Sequence, residues 1–158
     1  MFEEEIKDFS IISKNLRKLN KKIKLLGLLQ RAKKEYDENN LEECINLCKK
    51  VLSENPQNPS ALRGIGCVMQ AKGDYDEALK YYNKALKQSK NKEIEYTLIG
   101  TVYYNQKDLE NAIKFYNLAI DTNDDYDLAY EGRNQSMLEN HLQILDLQDS
   151  LIKRNMFK

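Results

Sequence analysis

The sequence predicts an all-α fold, an α-solenoid in which antiparallel helix pairs stack on one another between an amphipathic N-terminal helix and a C-terminal capping helix. Three observations predict it. A block of residues recurs at an offset of 34 with no gap. Every block holds two apolar stripes of helical spacing separated by a turn. Only two prolines and six glycines interrupt 158 residues, so the elements between turns are long.

The recurrence is clearest in the second half of each block. Gly73-Asp-Tyr-Asp-Glu-Ala-Leu-Lys-Tyr-Tyr-Asn-Lys-Ala-Leu86 aligns with Lys107-Asp-Leu-Glu-Asn-Ala-Ile-Lys-Phe-Tyr-Asn-Leu-Ala-Ile120. Residues 62–69 align with 96–103 at the same offset, and Asn40 to Leu52 falls in register one step back. Three units follow, 25–58, 59–92 and 93–126. In the second unit Leu62, Ile65, Gly66 and Met69 form one stripe, and Lys72-Gly73-Asp74 breaks it. Tyr75, Ala78, Leu79, Tyr82, Ala85 and Leu86 form the next. Neither stripe buries itself alone; stacked pairs share one continuous core. Gly66 and Gly100 face the partner helix of their pair, where Tyr82 and Tyr116 fill the space, and Ala78, Ala85, Ala112 and Ala119 hold matching small positions. Asn58 caps the helix that Pro59 opens.

These positions resemble the tetratricopeptide repeat. That family sets large apolar, Leu/Ile, Gly and Tyr along the first helix, then Ala, an aromatic and Ala along the second, with a Pro near the end. The second unit supplies Leu62, Ile65, Gly66, Met69, Ala78, Tyr82 and Ala85, with Lys90 in the proline position. The third supplies Tyr96, Ile99, Gly100, Tyr103, Ala112, Tyr116 and Ala119, with Asp124 there. The first is degenerate, with Leu28, Arg31, Ala32, Glu35, Cys44, Cys48 and Val51, but keeps Pro56. The resemblance covers about two thirds of the chain and implies a right-handed superhelix. It also implies a non-catalytic protein-binding role, with a peptide or protein held in a concave groove lined by the first helix of each pair. Onto that groove it carries Lys33 and Tyr36, then Arg63, Cys67 and Gln70, then Thr97, Thr101, Tyr104 and Asn105, with Leu29, Gly64 and Leu98 among them. The chaperone-tail members of the family clamp a terminal carboxylate with Lys, Asn and Arg. At those positions this chain has Leu29 and Lys33, Gly64, then Ile94 and Leu98, so no such clamp assembles.

Residues 1–24 read as an amphipathic segment, with Phe2, Ile6, Phe9, Ile12, Leu16, Leu19 and Ile23 every three or four residues. It packs on the first repeat or on a second chain, which admits a homo-oligomer. Residues 127–158 read as half a further repeat running into a capping helix, roughly 127–153. Net charge is zero overall, yet residues 1–34 carry ten Lys/Arg and four Asp/Glu (+6), while 93–126 carry two and seven (−5). The alternative function is therefore a self-associating scaffold steered by its charged ends. The layout is also similar to the class II chaperones of type III secretion, a likeness of architecture without a shared motif.

Other chemistries find little support. Arg63-Gly-Ile-Gly lies within a helix and lacks the third spaced glycine of a dinucleotide loop. No defensible Ser-His-acid set exists, so the chain reads as no enzyme, with no cofactor. Cys44 and Cys48 lie one helical turn apart without a second Cys/His pair, which reads as core and not as a metal site. His141 has no ligand partner at helical spacing. Asp124, Asp125 and Asp127 lack the glycine and glutamate of a calcium loop. No aromatics interleave the N-terminal lysines, which argues against nucleic acid. No apolar run approaches the ~20 residues of a membrane span. An odd count of three cysteines and no basic-then-apolar start predict a reducing, cytoplasmic setting.

Overall fold

The structure, a computed structural model, describes residues 2–156, with side chains over 10–152. Among the described residues there are seven helices and no strand. They are α1 (Phe2–Asp37), α2 (Leu41–Glu54), α3 (Pro59–Ala71), α4 (Tyr75–Gln88), α5 (Lys92–Asn105), α6 (Leu109–Thr122) and α7 (Asp127–Met156). Each helix packs on the next, and α1 also touches α3, as α5 touches α7. The chain is thus an all-α solenoid, with odd-numbered helices on one side and even-numbered helices on the other. No described helix is long and apolar enough to cross a membrane.

The turns show the repeat at backbone level. Asn39, Gly73 and Lys107, each 34 residues apart, adopt φ of 63°, 79° and 63° between the two helices of a pair. This left-handed residue ends one helix and redirects the chain into the next. Only one of the three is glycine, so the conformation belongs to the turn and is imposed on Asn and Lys. Asp74 and Asp108 then accept hydrogen bonds from Glu77 N at 3.4 Å and Asn111 N at 3.1 Å. Asn58 does the same for Ala61 N at 3.0 Å, with Pro59 in the first turn of α3.

Tyrosines on the even helices lock the pairs together. A Cβ added at Gly66 would lie 2.5 Å from Cε1 of Tyr82, which is fully buried. Tyr116 is held from two sides: a Cβ at Gly100 would lie 3.0 Å from its ring, and one at Gly132 of α7 2.4 Å. In the degenerate first unit the trade is reversed. Ala32 replaces the glycine and Cys48 the tyrosine, and Gly64 of α3 leaves 2.7 Å between its absent Cβ and Cys48 Sγ. Around these contacts lie Leu47, Val51, Ile65 and Val68 on one side and Tyr82, Ile99 and Val102 on the other.

Both ends run on beyond the stack. α1 passes residue 24 without a break, so the N-terminal segment and the first helix of the first unit are one helix. The side chains of Phe2, Ile6 and Phe9 lie outside the described residues. α7 covers α6 and α5 through Ala129, Gly132 and Ser136, which are buried or half-buried. From Leu138 onward its apolar side chains are exposed, so only its first turns cap the last repeat.

Gly66→Ala should lower unfolding stability by about 1–3 kcal/mol, because overpacking the Tyr82 ring exceeds the gain in helix propensity. Gly27→Ala, with no atom within 4 Å of the new Cβ, should raise it by about 0.5–1 kcal/mol. Urea unfolding of the two variants beside the wild type checks the opposite signs.

Candidate binding groove

The odd helices bring one group of the expected residues together. Leu29, Lys33 and Tyr36 from α1 meet Arg63, Gly64 and Cys67 from α3 around a cavity of about 440 Å³. Its floor is Ala32, Cys44 and Cys48, and its rim includes Asp37 and Ser60. The floor is apolar because the degenerate unit places two thiols where the other units place Ala and Tyr. Burial pushes the Cys48 thiol up to about 12, with the neighbouring Cys44 adding to it. Burial also raises Cys44 and Cys67. All three are therefore neutral thiols near pH 7. Among the described residues no group of three or more His, Cys, Asp or Glu is placed to hold a metal.

Arg63 also makes a contact that the sequence did not disclose. Its Nε and Nη2 both donate to Oε1 of Glu95 on α5, at 2.9 and 2.8 Å. Glu95 is fully buried, and its Oε2 has no partner among the described residues. This pair ties one repeat to the next from within the groove wall. Nothing in the 34-residue pattern marks Glu95, because the matching residue one unit earlier is Ala61.

Other expected residues serve the core tyrosines. The Tyr82 hydroxyl donates to Oε1 of Gln70 at 2.8 Å and lies 3.4 Å from Cys67 Sγ. Thr101 Oγ1 lies 3.1 Å from the Tyr116 hydroxyl and donates to the Thr97 carbonyl at 2.9 Å. Thr97 itself is buried, and its hydroxyl meets no partner among the described residues, so it offers a ligand little surface. Tyr104 lies apart from the cavity, against α7. A hydrogen bond to Glu139 and partial burial raise its hydroxyl. Glu139 in turn pairs with Lys107 Nζ at 2.8 Å, which with Tyr104 holds its carboxyl below the usual range. Asn105 is exposed at the end of α5, and His141 is exposed on α7.

With these helix pairs, glycines and tyrosines in place, two family models described as tetratricopeptide repeat match residues 23–91 and 96–126. The chain belongs to the tetratricopeptide-repeat family. No curated protein matches the sequence. Among solved structures it is similar to the Sgt2 TPR domain from Aspergillus fumigatus, at 17% identity and a TM-score of 0.67, over 75% of this chain and 80% of that one. It is also similar to the first TPR of Spaghetti (RPAP3) bound to an HSP90 peptide, at 17% identity and 0.65, over 74% and 93%. A third is the TPR2B domain of yeast Sti1 in a complex with pHsp70, at 11% and 0.65, over 74% and 98%. At these identities the likeness is one of fold.

Two measurements probe the groove wall. Arg63→Ala should cost roughly 3 kcal/mol by stranding the buried Glu95 carboxylate, and Arg63→Met with Glu95→Leu should recover most of it. Equal losses in the single and double variants would count against the pair. The thiols predict alkaline lability. Cys48 ordinarily ionises near 9.0 and in the folded chain near 12. The unfolded state therefore loses its proton first, and stability falls as pH rises through that window. Urea midpoints should drop from pH 9 toward 12, with a shallower slope in Cys48→Ala.

Proposed function

We propose that the protein is a non-catalytic interaction scaffold that holds a peptide or protein segment in the groove between α1 and α3. The observation that carries this reading is the cavity of about 440 Å³ framed by Leu29, Lys33, Tyr36, Arg63, Gly64 and Cys67. Its apolar floor suits one buried side chain of the guest, and Lys33 and Arg63 at the rim suit a carboxylate beside it. Tyr36 adds a rigid amphipathic wall. Gln70, Thr101, Tyr104 and Asn105 extend the surface toward α7, where they suit hydrogen bonds to an extended backbone. Three free thiols fit a reducing cytoplasmic setting.

The Spaghetti and Sti1 domains support the reading, since one is bound to an HSP90 peptide and the other is in a complex with pHsp70. The guest here is of a different kind. Gly64 and Leu98 stand where a carboxylate clamp needs donors, and an apolar anchor replaces the terminal carboxylate as the recognised group.

Selection from a displayed peptide library should enrich sequences with an apolar residue next to Asp or Glu, and a chaperone-tail peptide should show no saturable binding. Lys33→Glu and Ser60→Trp alter the rim at exposed positions. Each should weaken the selected peptides by about tenfold, roughly 1.4 kcal/mol. Affinities unchanged in both variants would move the binding surface elsewhere.

A further inference from the structure

Two apolar seams lie uncovered at opposite ends of the stack. On α1, Ile12, Leu16, Leu19, Ile23 and Leu26 are 50–57% exposed. Their spacings of four, three, four and three are those of a coiled-coil seam. On α7, Leu138, Leu142, Leu145 and Ile152 are 43–62% exposed and follow the same register, with Asp149 in the one missing place. The repeats cover neither seam. α2 ends at Glu54, which forms ion pairs with Lys21 and Lys24 of α1, at 3.1 and 3.8 Å. α7 is covered only through its first turns, up to Ser136 and Glu139.

Charge decides what covers them. Residues 10–30 carry Lys14, Arg17, Lys18, Lys21, Lys22 and Lys24 and no acid. Residues 138–152 carry Glu139, Asp146 and Asp149 and no Lys or Arg. Two α1 arms together would gather twelve positive charges, and two α7 arms in parallel register would bring Asp149 against its own copy inside an apolar seam. An α1 arm against an α7 arm sets three negative charges against six positive ones and gives Asp149 cationic neighbours. The sequence also sets direction. Residues 2–9 of the α1 sequence are net −3 and residues 153–156 of the α7 sequence are net +2. Antiparallel arms therefore match charge along their whole length, and parallel arms oppose it. The two arms belong to opposite ends of one stack, α1 on α2 and α3, α7 on α5 and α6. The complement of each is thus found on another molecule.

We propose that the protein assembles with further copies of itself by antiparallel pairing of the basic α1 arm of one copy with the acidic α7 arm of another. The contact is heterologous, so it closes into a dimer when reciprocal and otherwise continues to larger rings or chains. The groove between α1 and α3 stays outside the contact, and assembly multiplies the grooves held together.

Light scattering tests the pairing. At low salt the wild type should have at least twice the mass of one copy, falling as salt screens the arms. One variant carries Lys14→Glu, Lys18→Glu and Lys22→Glu; a second carries Asp146→Lys and Asp149→Lys. Each alone should be a monomer of unchanged helix content by circular dichroism. Mixed, they should regain the higher mass, because each supplies the arm the other now lacks. A wild type that is monomeric at low salt overturns the proposal, and binding of that monomer to anionic lipid vesicles would assign the α1 arm to a membrane surface. Assembly that persists in the first variant, or a mixture that stays monomeric, overturns it equally.

Discussion

The contact on which the rest of the structure depends is a tyrosine ring laid on a glycine. Tyr82 on Gly66, and Tyr116 between Gly100 and Gly132, set how closely even and odd helices approach. The absent Cβ atoms make room for the rings, and the buried rings fill that room at the packing density a core requires. Position along the helix then follows, because each ring fits one gap. The hydroxyls finish the arrangement. A buried phenol needs a partner, and Gln70, Cys67 and Thr101 on the odd helices meet it. The same side chains that define the inner surface therefore hold the core in register.

That double duty explains what the sequence could and could not disclose. The fold was legible because the offset of 34 repeats small and large positions together, and a lone glycine or tyrosine would have meant little. Of the residues the repeat register sets on one surface, Leu29, Lys33, Tyr36, Arg63, Gly64 and Cys67 line one cavity. Thr97 was not legible as a buried residue, because a threonine on an odd helix looks alike facing solvent or facing the interior. Glu95 escaped for the opposite reason. Its burial depends on Arg63, 32 residues away and out of phase with the repeat, so no periodic pattern points to it.

The degenerate first unit is where the surface acquires a recess. Replacing tyrosine by Cys48 and glycine by Ala32 removes the ring that fills the same place in the other units. The freed volume opens between α1 and α3 instead of closing in the core. A departure from the repeat pattern that reads as decay in sequence is, in space, the feature that distinguishes this groove from its neighbours along the solenoid.

The unbroken α1 has a mechanical consequence. The twenty or so residues that precede its packed portion extend about 30 Å along one helical axis, and that axis is fixed at its root by α2 and α3. The arm is a lever rather than a tether. A tilt of a few degrees between the first two helix pairs, of the kind a guest wedged between α1 and α3 would impose, carries the far end through about 2 Å. Occupancy at the root would be read out at the tip.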